Sequence, residues 1–346
     1  MLWQLDNIGI NVAGDGHESP ESIAETGAKW IRVVAVQGQD IRGWLESCKA
    51  LGLKVLMVFA RESMKYDDWF NSMRTWKARY GDLVDAYQVG NEWDSDPNAA
   101  SSWHMTPDQI SRLLSDGRRA LGPDSYIVGA GMCSGVASLA DSVDWSPVDA
   151  IALQPYGTLP NRTENWSDVP GGFNFFPELV ETYRHLGKPI WVTEIGTDGF
   201  YASEETQARY LKGIVPVIAS LTDGPVFWFN MSDWDINTPN YGIVRGNGAK
   251  KLSYYAFQEV AGGEPVSNPY KFVLGFKEAH DSNPDLVGEP LESEFGGIKG
   301  ISFQRTSRGF LTWADTVASG AVLTFVDHDT GARYEWRDSS LKRLSA

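Results

Sequence analysis

The feature that most constrains the fold is an alternation, repeated eight times in about 260 residues, of short apolar runs and longer segments with helical periodicity. The runs are rich in β-branched and aromatic residues, and all but the first are nearly continuous in apolar character, as strands covered on both faces should be. They span 8–12, 30–36, 55–60, 86–89, 126–131, 150–153, 190–193 and 226–230. This alternation is typical of βαβ units around a parallel sheet.

The segments between the runs carry helix start and stop signals. Helices are predicted over 20–28, 40–51, 67–80, 106–121, 177–186 and 203–220, most of them followed by glycine or opened by proline or a Ser-Glu-Glu-Thr box. The connection over 136–142 is weak as a helix. Eight such units favour an α/β fold of the closed (β/α)8 TIM-barrel type over a doubly wound sheet, because no GxGxxG turn follows the first run.

The alternation stops near the sequence GGEPVSNP at 262–269. After a short helical piece over 270–280, apolar and polar residues alternate in runs broken by Gly-bearing turns, which is typical of β-hairpins. We therefore expect a barrel over residues 1–263 and a small β-rich C-terminal module over 264–346. The alternative is a plain extension that packs under the barrel.

Charge and composition exclude several classes of function. The chain has 30 basic and 45 acidic residues, a net charge of −15, which disfavours nucleic acid and anionic membranes as partners. The two cysteines lie far apart in the sequence, so no disulfide framework is expected. The sequence has no HExxH motif, so no catalytic metal is expected, and the predicted chemistry needs no cofactor. The N-terminus lacks a signal-peptide pattern, so we expect a cytoplasmic, phage-encoded or lysis-released protein, or a secreted one already trimmed.

Two glutamates follow apolar runs directly. Glu92 ends the fourth run in YQVGNEWD, and Glu194 ends the seventh in PIWVTEIGTDG. Strands four and seven face each other across a barrel whose active sites form at the carboxyl ends of strands, so these carboxylates are expected to converge. Hydrolysis of a glycosidic bond needs such a pair, one as the acid and one as the nucleophile or base.

At these positions the chain resembles the clan A retaining glycoside hydrolases, over roughly residues 1–262. By this resemblance Glu92 is the acid/base, Glu194 is the nucleophile, and Asn91 holds the sugar 2-hydroxyl. The resemblance also implies that Arg32 and Tyr156 support the nucleophile and that Trp228 forms a platform under the reacting sugar. For the last three, the alternative is a structural role: an internal ion pair for Arg32, and packing at the rim for Tyr156 and Trp228.

The chain departs from the clan pattern in two places. Trp93 stands where proline usually follows Asn-Glu, and Gln154 stands where histidine is frequent. Both are kept as substrate-binding candidates. Further candidates at the rim are Asn11, His17, Trp103, His104, Trp234 and Asp235.

The predicted activity is hydrolysis of a β-linked oligo- or polysaccharide with retention of configuration. The 14 Trp, 13 Tyr and 15 Phe residues fit a protein that grips sugar rings. The C-terminal module is similar to cell-wall-associated repeats, through LVGEPLESE and SFQRTSRGFLTW, which implies attachment to a polysaccharide or cell wall with Trp313 and Trp336 as contacts. The alternative is that these two tryptophans fill the small core of the module itself. The alternative function is a non-catalytic carbohydrate-binding barrel in a cell-surface or phage-tail assembly.

Overall fold

The structure is a computed structural model of the chain. It describes residues 7–14, 16–36, 38–60, 68–94, 105–133, 137–156, 175–197, 204–233, 241–262, 274–287, 295–296, 301–306, 308–316, 320–327, 332–337 and 340–345. The chain divides into two compact units, Met1–Pro265 and Val266–Ala346. No helix within the described ranges is long and apolar enough to cross a bilayer.

The first unit is a closed barrel of eight parallel strands in sequential order. The predicted (β/α)8 barrel is confirmed. Its strands are β1 (Ile8–Val12), β2 (Trp30–Val34), β3 (Lys54–Phe59), β4 (Ala86–Val89), β5 (Ile127–Met132), β6 (Ala150–Leu153), β7 (Ile190–Ile195) and β8 (Val226–Trp228). Nearly every strand residue is buried, because helices cover the outside while side chains fill the inside.

Helices follow the strands. They are α1 (Pro20–Glu25), α2 (Arg42–Ala50), α3 (Trp69–Tyr80), α4 (Pro107–Leu121), α5 (Ala137–Ser142), α6 (Phe175–Arg184), α7 (Glu204–Leu221) and α8 (Leu252–Val260). Helix α4 begins with a capping box in which the Thr106 side chain accepts from the Gln109 backbone and the Gln109 side chain accepts from the Thr106 backbone. Helix α5 forms where the helical pattern of the sequence is weak, and α8 was not among the predicted helices. The Ser203 cap proposed for α7 lies outside the described residues.

The interior of the barrel is apolar at one end. Eight inward side chains form what we call the apolar plug: Trp30, Leu56, Ala86, Val128, Ala150, Ala152, Trp191 and Phe227. Trp30 meets Trp191 edge-on at 5.4 Å between ring centroids. Gly9 makes room for Phe227, because a Cβ at this position would lie 2.4 Å from the ring. Large rings set against small residues therefore close the amino-terminal end of the barrel.

The interior is polar at the other end. Two residues further along five of the strands lie Asn11, Arg32, Gln88, Gln154 and Thr193, which we call the polar layer. All five are at most 3% exposed. Because residues two apart along a strand face the same side, the plug and the polar layer are successive levels of one interior.

The second unit is a small module with its own core. It contains α9 (Leu274–Ser282), α10 (Pro284–Val287) and a six-stranded antiparallel sheet. The strands are β9 (Phe295–Gly296), β10 (Ile301–Arg305), β11 (Gly309–Thr316), β12 (Gly320–Asp327), β13 (Arg333–Arg337) and β14 (Ser340–Ser345). Phe276, Leu311 and Phe325 are among its buried residues. The predicted β-rich character of the C-terminal module is confirmed.

Candidate active site

Glu92 and Glu194 lie in one cavity of about 820 Å³ at the carboxyl ends of the strands. The described lining is Asn11, Val12, Ala13, Gly14, His17, Arg32, Val34, Val36, Gln39, Ala60, Asn91, Glu92, Glu194, Phe229, Asn230, Asp233 and Gly246. The wall built from β1, β2 and β3 is largely aliphatic, whereas the opposite wall carries amides and carboxylates. A site of this size with a few placed polar groups is suited to a small molecule or a short stretch of a polymer.

Arg32 is the centre of the polar layer. The side chain is 2% exposed, and its guanidinium donates to four side-chain oxygens. These are Gln88 Oε1 at 2.9 Å, Asn11 Oδ1 at 2.5 Å, Glu194 Oε1 at 2.6 Å and Asn91 Oδ1 at 2.7 Å. A buried guanidinium is costly unless its donors are satisfied, and here the four oxygens come from three strands or their ends, β1, β4 and β7.

Glu194 is held from three sides. Arg32 and Gln154 donate to Oε1, at 2.6 and 3.2 Å, and the Tyr156 hydroxyl donates to Oε2 at 2.8 Å. The pairing of β7 with β8 shifts register between Val192 and Ile195. This irregularity explains how Thr193 and Glu194, which are neighbours in sequence, both reach the interior side, since a regular strand would direct them to opposite faces.

Tyr156 is a stable hydrogen-bond donor. Burial, followed by the neighbouring Glu194 carboxylate, raises the pKa of Tyr156 well above its usual value of 10.0. Its ring lies edge-on to Phe229 and Tyr241, with centroids 6.3 and 6.1 Å away. The hydroxyl therefore stays protonated beside Glu194 at all ordinary pH values, within an aromatic enclosure.

Glu92 occupies a special backbone position. Its φ of 52° lies in the left-handed region, which non-glycine residues rarely adopt, and its backbone N–H donates to Gly131 O at 2.9 Å. Such conformations cost about 1–3 kcal/mol and concentrate at functional sites. The side chain is half-buried, in contrast to Glu194, which is 7% exposed. The two carboxylates therefore lie in different surroundings.

Two buried carboxamides fix the orientation of Asn91. Gln154 Nε2 donates to Asn91 Oδ1 at 2.6 Å, and Gln88 Nε2 donates to Gly90 O at 2.8 Å. Gly131 permits this packing, because a Cβ there would lie 2.7 Å from both Gln nitrogens. Asn91 Oδ1 faces Gln154 and Arg32, so its Nδ2 points away from them.

Gln154, Trp228 and Trp93 were predicted to contact substrate, but none of them is part of the cavity lining. Gln154 is fully buried, and its amide donates to Asn91 and Glu194 instead. The two tryptophans are enclosed elsewhere. Trp228 is fully buried between β8 and α7, with its ring 6.3 Å from that of Tyr210. Trp93 is 1% exposed and packs edge-on against Trp69 of α3 at 5.5 Å. The predictions of sugar contact are wrong for both side chains, because each is enclosed in the layer between strands and helices.

The cavity also contains residues that were not among the predicted sugar contacts. Phe229 occupies the place at the end of β8 expected for Trp228, and Asn230 and Asp233 follow it. The Asp233 carboxylate pairs with the buried Lys251 ammonium at 2.7 Å and accepts from Gly242 N at 2.9 Å. His17 and Asn11 lie in the lining as expected. Trp103, His104, Trp234 and Asp235 lie outside the described residues.

No protein-family model matches this sequence, and no curated protein sequence matches it. The fold does have solved counterparts. A family 39 glycoside hydrolase from the gut symbiont Bacteroides cellulosilyticus WH2 superposes with a TM-score of 0.57 at 17% identity, covering 99% of this chain and 81% of that one. A GH5_18 protein from Streptomyces cattleya gives 0.58 at 13% identity, covering 79% and 86%.

A GH128 (subgroup I) endo-beta-1,3-glucanase from Amycolatopsis mediterranei gives a TM-score of 0.53 at 18% identity, covering 74% of this chain and 100% of that one. The barrel has the fold of glycoside hydrolases. Identities this low establish the architecture alone, so the chemistry of this chain must be argued from its own residues. Among its described residues, no group of three or more His, Cys, Asp or Glu side chains is arranged to hold a metal ion.

Proposed function

We propose that this protein is a retaining glycoside hydrolase that cleaves a β-linked glycan by double displacement, with Glu194 as nucleophile and Glu92 as acid/base. The observation that carries the proposal is the shared cavity, in which one carboxylate is buried among three donors while the other is half-buried. Two carboxyl groups with different environments can take the two roles that the chemistry requires.

In the first step a Glu194 oxygen forms a bond to the anomeric carbon as the glycosidic carbon–oxygen bond breaks. Glu92 gives its proton to the departing oxygen. In the second step Glu92 takes a proton from water, the water oxygen bonds to the anomeric carbon, and the ester bond to Glu194 breaks. The donors from Arg32, Gln154 and Tyr156 stabilise the negative charge on Glu194 before attack and after release.

Asn91 and Phe229 are assigned to the reacting sugar. Because Arg32 and Gln154 hold Asn91 Oδ1, the Nδ2 group is the end of the amide that can donate to a sugar hydroxyl. Phe229 offers an apolar ring at the end of β8, the role expected of Trp228 from the sequence. Related folds have been solved with Manb1-4GlcNAc and with laminaripentaose, which supports a β-linked glycan as substrate.

The test is activity on a panel of β-glycans, bacterial cell walls and aryl glycosides, with the product anomers followed by NMR. Wild type should release a product of retained configuration, and Glu194→Gln should release none while remaining folded, as shown by a cooperative denaturant transition. Glu46→Gln is the matched control, because Glu46 is an exposed residue of α2. An inverted product, or a Glu194→Gln protein as active as wild type, would overturn the proposal.

Glu92→Gln separates the two carboxylates. It should slow substrates with poor leaving groups by about 10²- to 10⁴-fold, and dinitrophenyl glycosides much less, because their leaving group departs without a proton. Equal losses on both substrates would remove the acid/base assignment. Glycan binding without turnover by folded wild type would favour the alternative of a non-catalytic barrel.

The unit Val266–Ala346 is proposed to attach the enzyme to a polysaccharide or cell wall, which would raise the local substrate concentration. The proposal depends on the sequence similarity given above. Trp313 and Trp336 both pair in register with Leu323 of β12, which belongs to the buried core of the module. Because paired residues share a face of the sheet, this register favours the alternative in which the two tryptophans belong to that core. Replacing both tryptophans by alanine in the full chain should reduce sedimentation with insoluble glycans while leaving cleavage of soluble substrates unchanged. Unchanged sedimentation would contradict the proposal.

A further inference from the structure

A second cavity, of about 180 Å³, lies on the outside of the barrel between the loop after β2 and helix α3. We propose that it is a distal glycan subsite, which binds one sugar unit of a chain that also occupies the cavity containing Glu92 and Glu194. This inference depends on the proposed function only in taking the ligand to be a glycan. The residue that joins the two sites is Gln39, which lines both cavities.

The second cavity is pre-formed. The Arg79 guanidinium of α3 pairs with Asp40 at 2.6 Å, and the Tyr80 hydroxyl lies 3.2 Å from the same carboxylate. Tyr80 also accepts from Ile41 N at 3.4 Å. The loop is therefore fixed to the carboxyl end of α3 by several contacts, and a ligand would not need to order it first.

The chemistry of the lining suits a hydroxyl-rich ligand. Six lining residues lie on one face of α3, at spacings of three and four: Asp68, Asn71, Ser72, Thr75, Trp76 and Arg79. Their amide and hydroxyl groups both donate and accept hydrogen bonds, the Asp68 carboxylate accepts, the Arg79 guanidinium donates, and Trp76 adds one aromatic ring. Asp68 caps α3 without a side-chain capping hydrogen bond. Among the described lining residues Trp76 is the only large apolar one, which disfavours an apolar ligand.

The side-chain oxygen of Gln39 is a hydrogen-bond acceptor that a ligand can use. Its backbone is fixed, since its N–H donates to Val36 O at 3.2 Å and its carbonyl accepts from Tyr80 at 3.4 Å. Within the part of the chain that the structure describes, its Oε1 is buried and has no hydrogen-bond partner. A buried acceptor without a partner is costly, and a sugar hydroxyl would supply the donor.

The charges favour a neutral ligand. Arg79 is paired with Asp40, and Asp68 adds a negative charge at the edge of the cavity. The whole chain has a net charge of −15, which repels phosphorylated or sulfated ligands. A neutral sugar unit meets all three observations: size, hydrogen-bonding groups and charge.

The test measures affinity as a function of chain length in the full-length Glu194→Gln protein, which should bind without turnover. The probes are the dimers and pentamers of β-1,3-glucan, β-1,4-glucan, β-1,4-mannan and chitin, measured by calorimetry. Thr75→Trp fills the cavity, and Ala78→Trp places the same side chain on an exposed position of α3 outside it. In at least one series the pentamer should bind more tightly than the dimer, and Thr75→Trp should weaken pentamer binding about tenfold relative to Ala78→Trp.

Equal pentamer affinity in the two tryptophan variants would overturn the distal subsite, as would a panel in which no pentamer binds more tightly than its dimer. The result is independent of the test for catalysis. If wild type turns over substrate and Thr75→Trp has no effect on pentamer binding, the subsite proposal is contradicted and the proposed enzymatic activity stands. If pentamer binding is weakened by Thr75→Trp but wild type turns over no substrate, the subsite proposal stands and the proposed enzymatic activity is contradicted.

Discussion

The two ends of the barrel interior are built from the same strands, two residues apart, and they are chemically opposite. Trp30 belongs to the apolar plug and Arg32 to the polar layer, although both project inward from β2. The plug needs no partners, because burial of apolar surface stabilises the fold by itself. The polar layer places a charge and several amides in the same interior, where each must be satisfied by another. The polar end therefore costs desolvation free energy that the apolar end does not, and this difference is expected if the polar end has the functional role that we propose.

Among the variants that test the difference between the two ends, Arg32→Met should have the largest effect on activity. The variant leaves Glu194 and Asn91 without their main donor, so kcat should fall at least about 10³-fold. The free energy of unfolding should fall by about 3–5 kcal/mol, because a buried carboxylate loses its counter-charge. Product release and urea unfolding measure the two effects. Arg32→Lys, which keeps the charge and loses the planar fork, should be intermediate. A wild-type kcat in Arg32→Met would show that the polar layer is structural.

Tyr156→Phe removes a single donor from the same layer. Loss of a hydrogen bond to a charged group costs about 1.5–3 kcal/mol of folding stability, so the free energy of unfolding should fall by about this amount. Because the same hydroxyl supports Glu194, kcat should fall about 10- to 100-fold. Because the pKa of Tyr156 is raised well above 10.0, its titration lies above the working range. Any alkaline limb in the wild-type pH–rate profile should therefore persist in Tyr156→Phe. An alkaline limb that disappears in this variant would contradict the assignment of Tyr156 as a permanent donor.

Phe227→Ala should have the smallest effect on activity and a large one on stability. A cavity in the plug should lower the free energy of unfolding by about 3–5 kcal/mol. The activity of the folded fraction should stay within about twofold of wild type, since Phe227 lies a full level below the polar layer. Denaturant titration and active-site-normalised rates test the two statements. A loss of kcat as large as that of Arg32→Met would show that the two ends are not independent.

The sequence was sufficient to predict the strands and the position of Glu92 and Glu194 in one cavity, because apolar runs that end in a polar residue mark the mouth of a barrel. It was not sufficient to predict which residues of β8 face the inside of the barrel. In Val-Phe-Trp-Phe-Asn every residue can be buried, and a shift of one residue exchanges the inward and outward faces. The structure turns Phe227 into the plug and Phe229 into the cavity, and it turns Trp228 outward against α7.

The position of Trp93 could not be predicted for a different reason. The left-handed backbone at Glu92 reverses the chain locally, so the following ring turns into the core beside Trp69. Asp233 was missed because it follows β8 on a loop, and its burial depends on Lys251, which lies 18 residues later. Pairings of this kind arise from tertiary structure and leave no periodic pattern in the sequence.

Double displacement requires Glu194 to form a covalent bond with the sugar. The most direct measurement is incubation of wild type with an activated 2-deoxy-2-fluoro glycoside of the sugar identified by the substrate panel, followed by intact-mass and peptide mass spectrometry. We expect one added glycosyl group, located on the peptide that contains Glu194, and none in Glu194→Gln. A glycosyl group on another carboxylate, or a product of inverted configuration, would contradict it.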